Sequence, residues 1–152
     1  MNLIARSRGM TLVELMVVLL IVLILATLAY PAYTSFVVRA VRVEGQVALL
    51  DRMQQQERYY TRTNTYIPFS SASTEPDEKE FRWWSGSTAA ESGYELSGRA
   101  CPDVPLERCI ELRAEPGTTL VNANFRDEQC ATLVLVSTGQ HYATGPQARC
   151  WP

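Results

Sequence analysis

The stretch RGMTLVELMVVLLIVLILATLAYPAY, Arg8 to Tyr33, decides how the rest of the chain is read. It is apolar enough to lie in a bilayer, yet it holds a carboxylate, Glu14, near its start and a proline, Pro31, near its end. From Leu15 to Val38 no side chain is charged. A helix of that length, at roughly 1.5 Å per residue, reaches about 36 Å and so covers a hydrocarbon core of about 30 Å. Arg6 and Arg8 precede it with no acidic residue before Glu14, so the positive-inside rule leaves the N-terminus in the cytoplasm. Everything from Arg39 onward then lies across the membrane.

A secretory signal sets a short apolar core before a small-residue cleavage site and is removed whole. Here the order is reversed, because Gly9 precedes the apolar run. Cleavage at that glycine removes a short polar leader and keeps the hydrophobic helix. An acidic side chain costs about 2.5–3.5 kcal/mol at the centre of a membrane helix, and less near the interface, so Glu14 calls for a partner. The plainer alternative is a glutamate among lipid headgroups. Pro31 lacks an amide hydrogen and clashes with the carbonyl of Thr27, which predicts a kink or local melting, the alternative being a helix that stops at the membrane edge.

With 152 residues, 47% of them hydrophobic, the chain holds one modest domain and one extra element. Its 14 basic and 16 acidic residues give a formal charge of −2, so no global field draws in nucleic acid. Cys101, Cys109, Cys130 and Cys150 all fall in the last third. Downstream of a membrane segment, an even set predicts two disulfides made in an oxidising compartment. Their spacing does not suit zinc, and His141 is the one imidazole. Closeness in sequence favours Cys101 with Cys109 and Cys130 with Cys150, among three possible pairings.

Phe36, Ala40, Val43, Val47 and Leu50 recur at helical spacing, which predicts an amphipathic rod to about Tyr60 whose apolar stripe needs a sheet to cover it. Gly45 lowers the local propensity without breaking so strong a pattern. Thr61 to Gly93 reads as an irregular excursion with a short element around FRWW, Phe81 to Trp84, where the tryptophans either pack or make an exposed contact. Strand composition follows at Tyr94–Ser97, Cys109–Ala114, Thr119–Phe125 and Cys130–Val136, with Gln140–Ala143 turning back as a hairpin. The fold class expected is α+β, a long helix laid on an antiparallel sheet of about four strands.

Gly9, Met10, Thr11, Leu12, Val13 and Glu14 resemble the class III leader of the type IV pilins. The resemblance implies that prepilin peptidase cuts between Gly9 and Met10 and N-methylates Met10. Pilins place a glutamate four residues, and a proline twenty-one, beyond the new terminus, as Glu14 and Pro31 are here. Glu14 would then pair with a methylated N-terminal ammonium, its own or a neighbour's, during assembly. Resemblance to PilE-like minor pilins extends to R-x-E-G-Q-x-A-L-L at Arg42–Leu50, Q-E-R-Y-Y at Gln56–Tyr60 followed by Tyr66, C-x-x-L-x-L at Cys130–Leu135 and C-W at Cys150–Trp151. The Cys101 and Cys109 pair departs from the family's one-disulfide pattern.

On this resemblance the chain divides into a cleaved leader, 1–9, a transmembrane and filament-core helix, 10–38, and a periplasmic pilin domain, 39–152. That domain comprises an amphipathic helix, 39–60, a variable loop, 61–93, and a disulfide-bonded sheet with its D-region, 94–152. The implied role is a minor, non-enzymatic subunit of a type IV pilus, in a priming or tip complex or within the fimbrium, and so in twitching motility. Its partners would be other minor and major pilins, the peptidase, the inner-membrane assembly platform and the membrane itself. It would sit first as a single-pass bacterial inner-membrane protein and then on the surface. No cofactor, metal site or catalytic residue is expected, for no phosphate-binding glycine loop, G-x-S-x-G or H-E-x-x-H occurs. A type II secretion pseudopilin shares the leader and helix and is the nearest alternative. A receptor for DNA or surfaces is the other, through Arg82, Arg99, Arg108, Arg113 and Arg126 with Trp83 or Tyr94, but acids are interspersed and nucleic acid is not an expected partner.

Overall fold

The computed structural model describes residues 10–152, apart from the side chains of Leu28, Pro31 and Ala32. Gly9 lies outside the described residues. The elements are α1 (Leu12–Thr63), α2 (Pro76–Lys79), β1 (Tyr94–Ala100), β2 (Ile110–Pro116), β3 (Leu133–Val136) and β4 (His141–Ala143). The chain divides into two compact units, with the boundary between Val37 and Val38.

In the first unit the Thr11 hydroxyl accepts the Glu14 amide at 3.2 Å, capping the start of α1. The backbone stays helical through Pro31. Leucines, isoleucines and valines from Leu12 to Leu25 are all exposed, as are Tyr30, Tyr33 and Phe36. Among the described residues no helix is long and apolar enough to cross a membrane. The uncharged stretch that suggested a span includes Leu28, Pro31 and Ala32, whose side chains lie outside the description.

In the second unit α1 ends a turn later than Tyr60, where Asn64 takes a left-handed backbone (φ 57°) and its amide closes on the Tyr60 carbonyl. The sheet is a four-stranded antiparallel meander in the order β1-β2-β3-β4. Register sets Leu96 opposite Ala114 and Leu112 opposite Leu135, so one face gathers Tyr94, Leu96, Leu112, Ala114, Leu133 and Leu135. That face forms the core with Ala48 and Leu49 of α1. The opposite face carries Arg99, Glu111, Arg113 and Tyr142, which cover the buried Val134.

The helix turns a different side to the sheet than its apolar stripe predicts. Val43, Val47 and Leu50 are exposed at 55%, 58% and 51%, while Arg42, Gly45, Gln46, Leu49, Arg52 and Gln56 are buried. The reason is partnership: Gln46 donates to the Cys150 carbonyl, and the Gln56 amide both donates to the Ile67 carbonyl and accepts its N–H. Polar side chains matched in this way go inside at little cost.

The expected strand at Thr119–Phe125 is absent. Most of its amides are spent on local turns, Val121 to the Thr118 carbonyl, Phe125 to the Asn122 carbonyl and Asn124 to the Asn122 side chain, while the Asn122 amide reaches the Ser92 carbonyl. In the excursion before β1, Phe69 and Trp84 make isolated bridges to Gly98 and Glu95, and the Leu96 amide reaches the Trp83 carbonyl at 2.7 Å. These contacts cover the outer edge of β1. Both disulfides form, Cys101–Cys109 and Cys130–Cys150, in the favoured pairing.

Gly45 owes its place to close approach. A Cβ there would lie 2.8 Å from the ring of Tyr94, a fully buried side chain at the centre of the core. Gly45→Ala gains about 1 kcal/mol of helix propensity but forces this contact apart, at a cost of about 1–3 kcal/mol. The expected net result is a lower urea midpoint for the domain, measured by near-ultraviolet circular dichroism; a raised midpoint would show that the ring can move aside.

Candidate functional site

The segment expected to drive assembly is exposed from its first described residue. Met10 projects freely, and Glu14 stands in the first turn of α1. The Glu14 carboxylate makes no hydrogen bond or ion pair among the described residues. A glutamate there is favoured by the helix dipole, and together with Thr11 it forms half of a capping box. A contiguous apolar surface of this extent is an interaction surface by its physics, whether the other side is lipid or protein.

In the second unit a charge cluster that sequence reasoning passed over fastens the helix to the C-terminal disulfide loop. Arg42 grips Asp127 with both prongs, Nε to Oδ2 at 2.7 Å and Nη2 to Oδ1 at 2.8 Å. The Tyr94 hydroxyl donates to the same carboxylate at 2.6 Å, and the Cys130 amide adds a further bond. Burial alone would raise the Asp127 carboxyl, but the hydrogen bonds from Arg42 and Tyr94 outweigh it and hold it below its ordinary value. Burial and the Asp127 bond together push the Tyr94 hydroxyl up, so it stays a donor. In the sequence Asp127 and Glu128 read as a solvated loop, but Asp127 is buried, because Arg42, Tyr94 and the Cys130 amide supply the hydrogen bonds that a buried carboxylate needs. Arg42, Gln46 and Gln56 share the face opposite the apolar stripe, which periodicity reads as solvent.

The arginines expected to gather into a basic patch are mostly engaged elsewhere. Arg99 and Arg113 both bind the buried Glu111, at 2.9 and 3.2 Å, and Arg113 also meets Glu115. Burial raises the Glu111 carboxyl less than its bonds to Arg113, Arg99 and Tyr142 lower it. Arg126 donates to the Gly117, Ala123 and Phe125 carbonyls. Tyr94 is buried and offers no ring to stack on, while Arg108 is exposed on the loop before β2.

Basic and aromatic groups do meet at the chain end. Arg39, Arg149 and Trp151 line a groove of about 230 Å³ between α1 and the terminal disulfide. Arg149 and Trp151 also border a second groove, of about 390 Å³, with His141 and Tyr142. Trp151 is held in place by its Nε1 bond to the Tyr142 carbonyl at 2.9 Å and by the His141 ring, 5.1 Å away. Among the described residues no group of three or more His, Cys, Asp or Glu is placed to hold a metal.

The family described as "Type IV minor pilin ComP, DNA uptake sequence receptor" matches residues 31–134, and the "Prokaryotic N-terminal methylation motif" matches residues 4–30. The chain belongs to this family of type IV minor pilins. No curated protein matches it. A type IV pilin from Shewanella oneidensis of solved structure is similar to it at 23% identity and a TM-score of 0.47, over 76% of this chain and 98% of that one. The expectation that set nucleic acid aside finds no support in the family's description, which names a DNA receptor.

Because the carboxyl of Asp127 is depressed in the folded state, its contribution is present above its unfolded value of about 3.9 and is lost as pH falls through the folded value. Urea midpoints should therefore fall between about pH 5 and pH 2. Asp127→Asn should unfold more easily at pH 7, by about 3–5 kcal/mol, because Arg42 is left buried and unpaired, and should show a shallower acid slope. An unchanged slope would mean that the other acids, Glu111 first among them, carry the pH dependence.

Proposed function

We propose that this minor pilin is a structural subunit of the type IV pilus that enters the fibre through its N-terminal helix. In this reading 1–9 is a leader cut between Gly9 and Met10 by prepilin peptidase, Met10 is N-methylated, and 10–38 spans the inner membrane until assembly. The single observation that carries the reading is the exposed apolar helix bearing an unpartnered carboxylate, Glu14, within its first turn. Withdrawn from lipid into a bundle of like helices, that carboxylate must find a cation, and the N-terminal ammonium of this or a neighbouring subunit is the one at the right end of the helix. Pro31, which offers no amide hydrogen, is the point at which the helix yields under axial load. The disulfide-bonded sheet then presents contacts to other pilins. Glu14→Ala should insert into membranes normally and start at N-methyl-Met10 by mass spectrometry, yet drop severalfold in sheared fibres; undiminished fibre content would remove the pairing role.

A second reading adds DNA reception to this role. It is favoured by the family's description and by the convergence of Arg39, Arg149 and Trp151 at the chain end, where a guanidinium can meet a phosphate and an indole can pack on a sugar or base. Arg149→Glu with Trp151→Ala should cut DNA binding by fibre preparations about tenfold or more while fibre yield stays constant, and should flatten the salt dependence of binding. Equal DNA binding would leave the subunit with assembly alone.

A further inference from the structure

The FRWW motif is absorbed by neither role. It forms one wall of a groove of about 300 Å³, floored by the buried Phe81, on the excursion between α1 and β1. Lys79, Glu80, Arg82 and Trp84 line it together with Ser70 and Ser73. Two donors in this wall, Arg82 Nε and Trp84 Nε1, are buried without a hydrogen-bond partner among the described residues. An unmet buried donor costs about 1–3 kcal/mol, so the wall is short of acceptors. The serine oxygens already accept backbone amides, Ser70 from Ala72 and Ser73 from Ser70, which frees their hydroxyl hydrogens to donate outward.

We propose that this groove binds a single acidic sugar ring, a uronate, as the terminal residue of an extracellular glycan. Its carboxylate lies between Lys79 and Arg82 and takes the Trp84 Nε1 hydrogen, while its hydroxyls meet Ser70, Ser73 and the Glu80 carboxylate. The guanidinium of Arg82 rests 5.8 Å from the centre of the Trp84 ring, and turning it toward the ligand carboxylate brings its unmet donor into use. Two features favour a sugar acid over a nucleotide. Trp83 meets Trp84 edge-on, at 79°, so the two offer no parallel slot for a base. The volume suits one ring.

The test is ligand-observed saturation-transfer NMR on the full-length protein in detergent micelles, with sodium glucuronate as probe, glucose as the neutral control and a short 5′-phosphorylated single-stranded oligonucleotide as competitor. Glucuronate should bind saturably and about tenfold or more tightly than glucose, and Arg82→Gln and Trp84→Phe should each weaken it about tenfold. Trp84→Phe keeps a ring and deletes the donor; should it not fold, Lys79→Gln, on an exposed side chain, serves with Arg82→Gln for the same comparison. Equal response to glucose and glucuronate, or binding indifferent to these variants, overturns the proposal. Displacement by the oligonucleotide at lower concentration than by glucuronate also overturns it and gives the groove to nucleic acid. Fibre yield in Arg82→Gln is a separate readout, so this result does not hang on the assembly role.

Discussion

The globular half of this protein is organised around a guanidinium that has been taken out of water. Arg42 leaves the helix on the side facing the sheet, and the only acceptable outcome for a buried cation is a carboxylate with the right geometry. Asp127 supplies it, and in doing so brings with it the start of the loop closed by Cys130 and Cys150. Tyr94, at the head of β1, binds the same carboxylate, so helix, sheet edge and disulfide loop meet at one point. The Gln46 bond to the Cys150 carbonyl fastens the other end of that loop to the same helical face. With Arg42, Gln46 and Gln56 turned inward and hydrogen-bonded, the helix leaves Val43, Val47 and Leu50 outside.

That inversion explains which parts of the structure could be read from the sequence. The presence of a long helix and of four strands followed from periodicity and composition, because these are local signals. The disulfide pairing followed from proximity along the chain. The orientation of the helix did not, since hydrophobic periodicity assumes that apolar residues face the core, and here Gly45, Gln46 and Arg42 do so instead. The partners of Arg42 and Gln46 lie 85 and 104 residues away, and no spacing rule reports them. Thr119–Phe125 failed for the opposite reason: its β-branched start resembles a strand, but asparagine and threonine side chains took its backbone into turns.

The same holds for the site. The role proposed for Glu14 starts from the sequence, because a carboxylate beside an apolar run is anomalous on its own. The basic patch was not, because an arginine in sequence carries no mark of whether it will be spent on Glu111 or left at the surface. Arg149 and Trp151, whose significance lies in being brought beside Arg39 by the terminal disulfide, became visible only once that loop was closed.

The contact between Gly45 and Tyr94 has a consequence for how such subunits diverge. Where a backbone rests directly on an aromatic ring, neither partner is free to drift alone. A lineage that gains a side chain at position 45 must first trim the ring at 94, and trimming the ring strips the shared carboxylate of a donor and loosens the tail of the protein. Variation will therefore be channelled toward the loops and away from this junction, so that relatives can differ widely in what they touch while keeping one seat for the sheet on its helix.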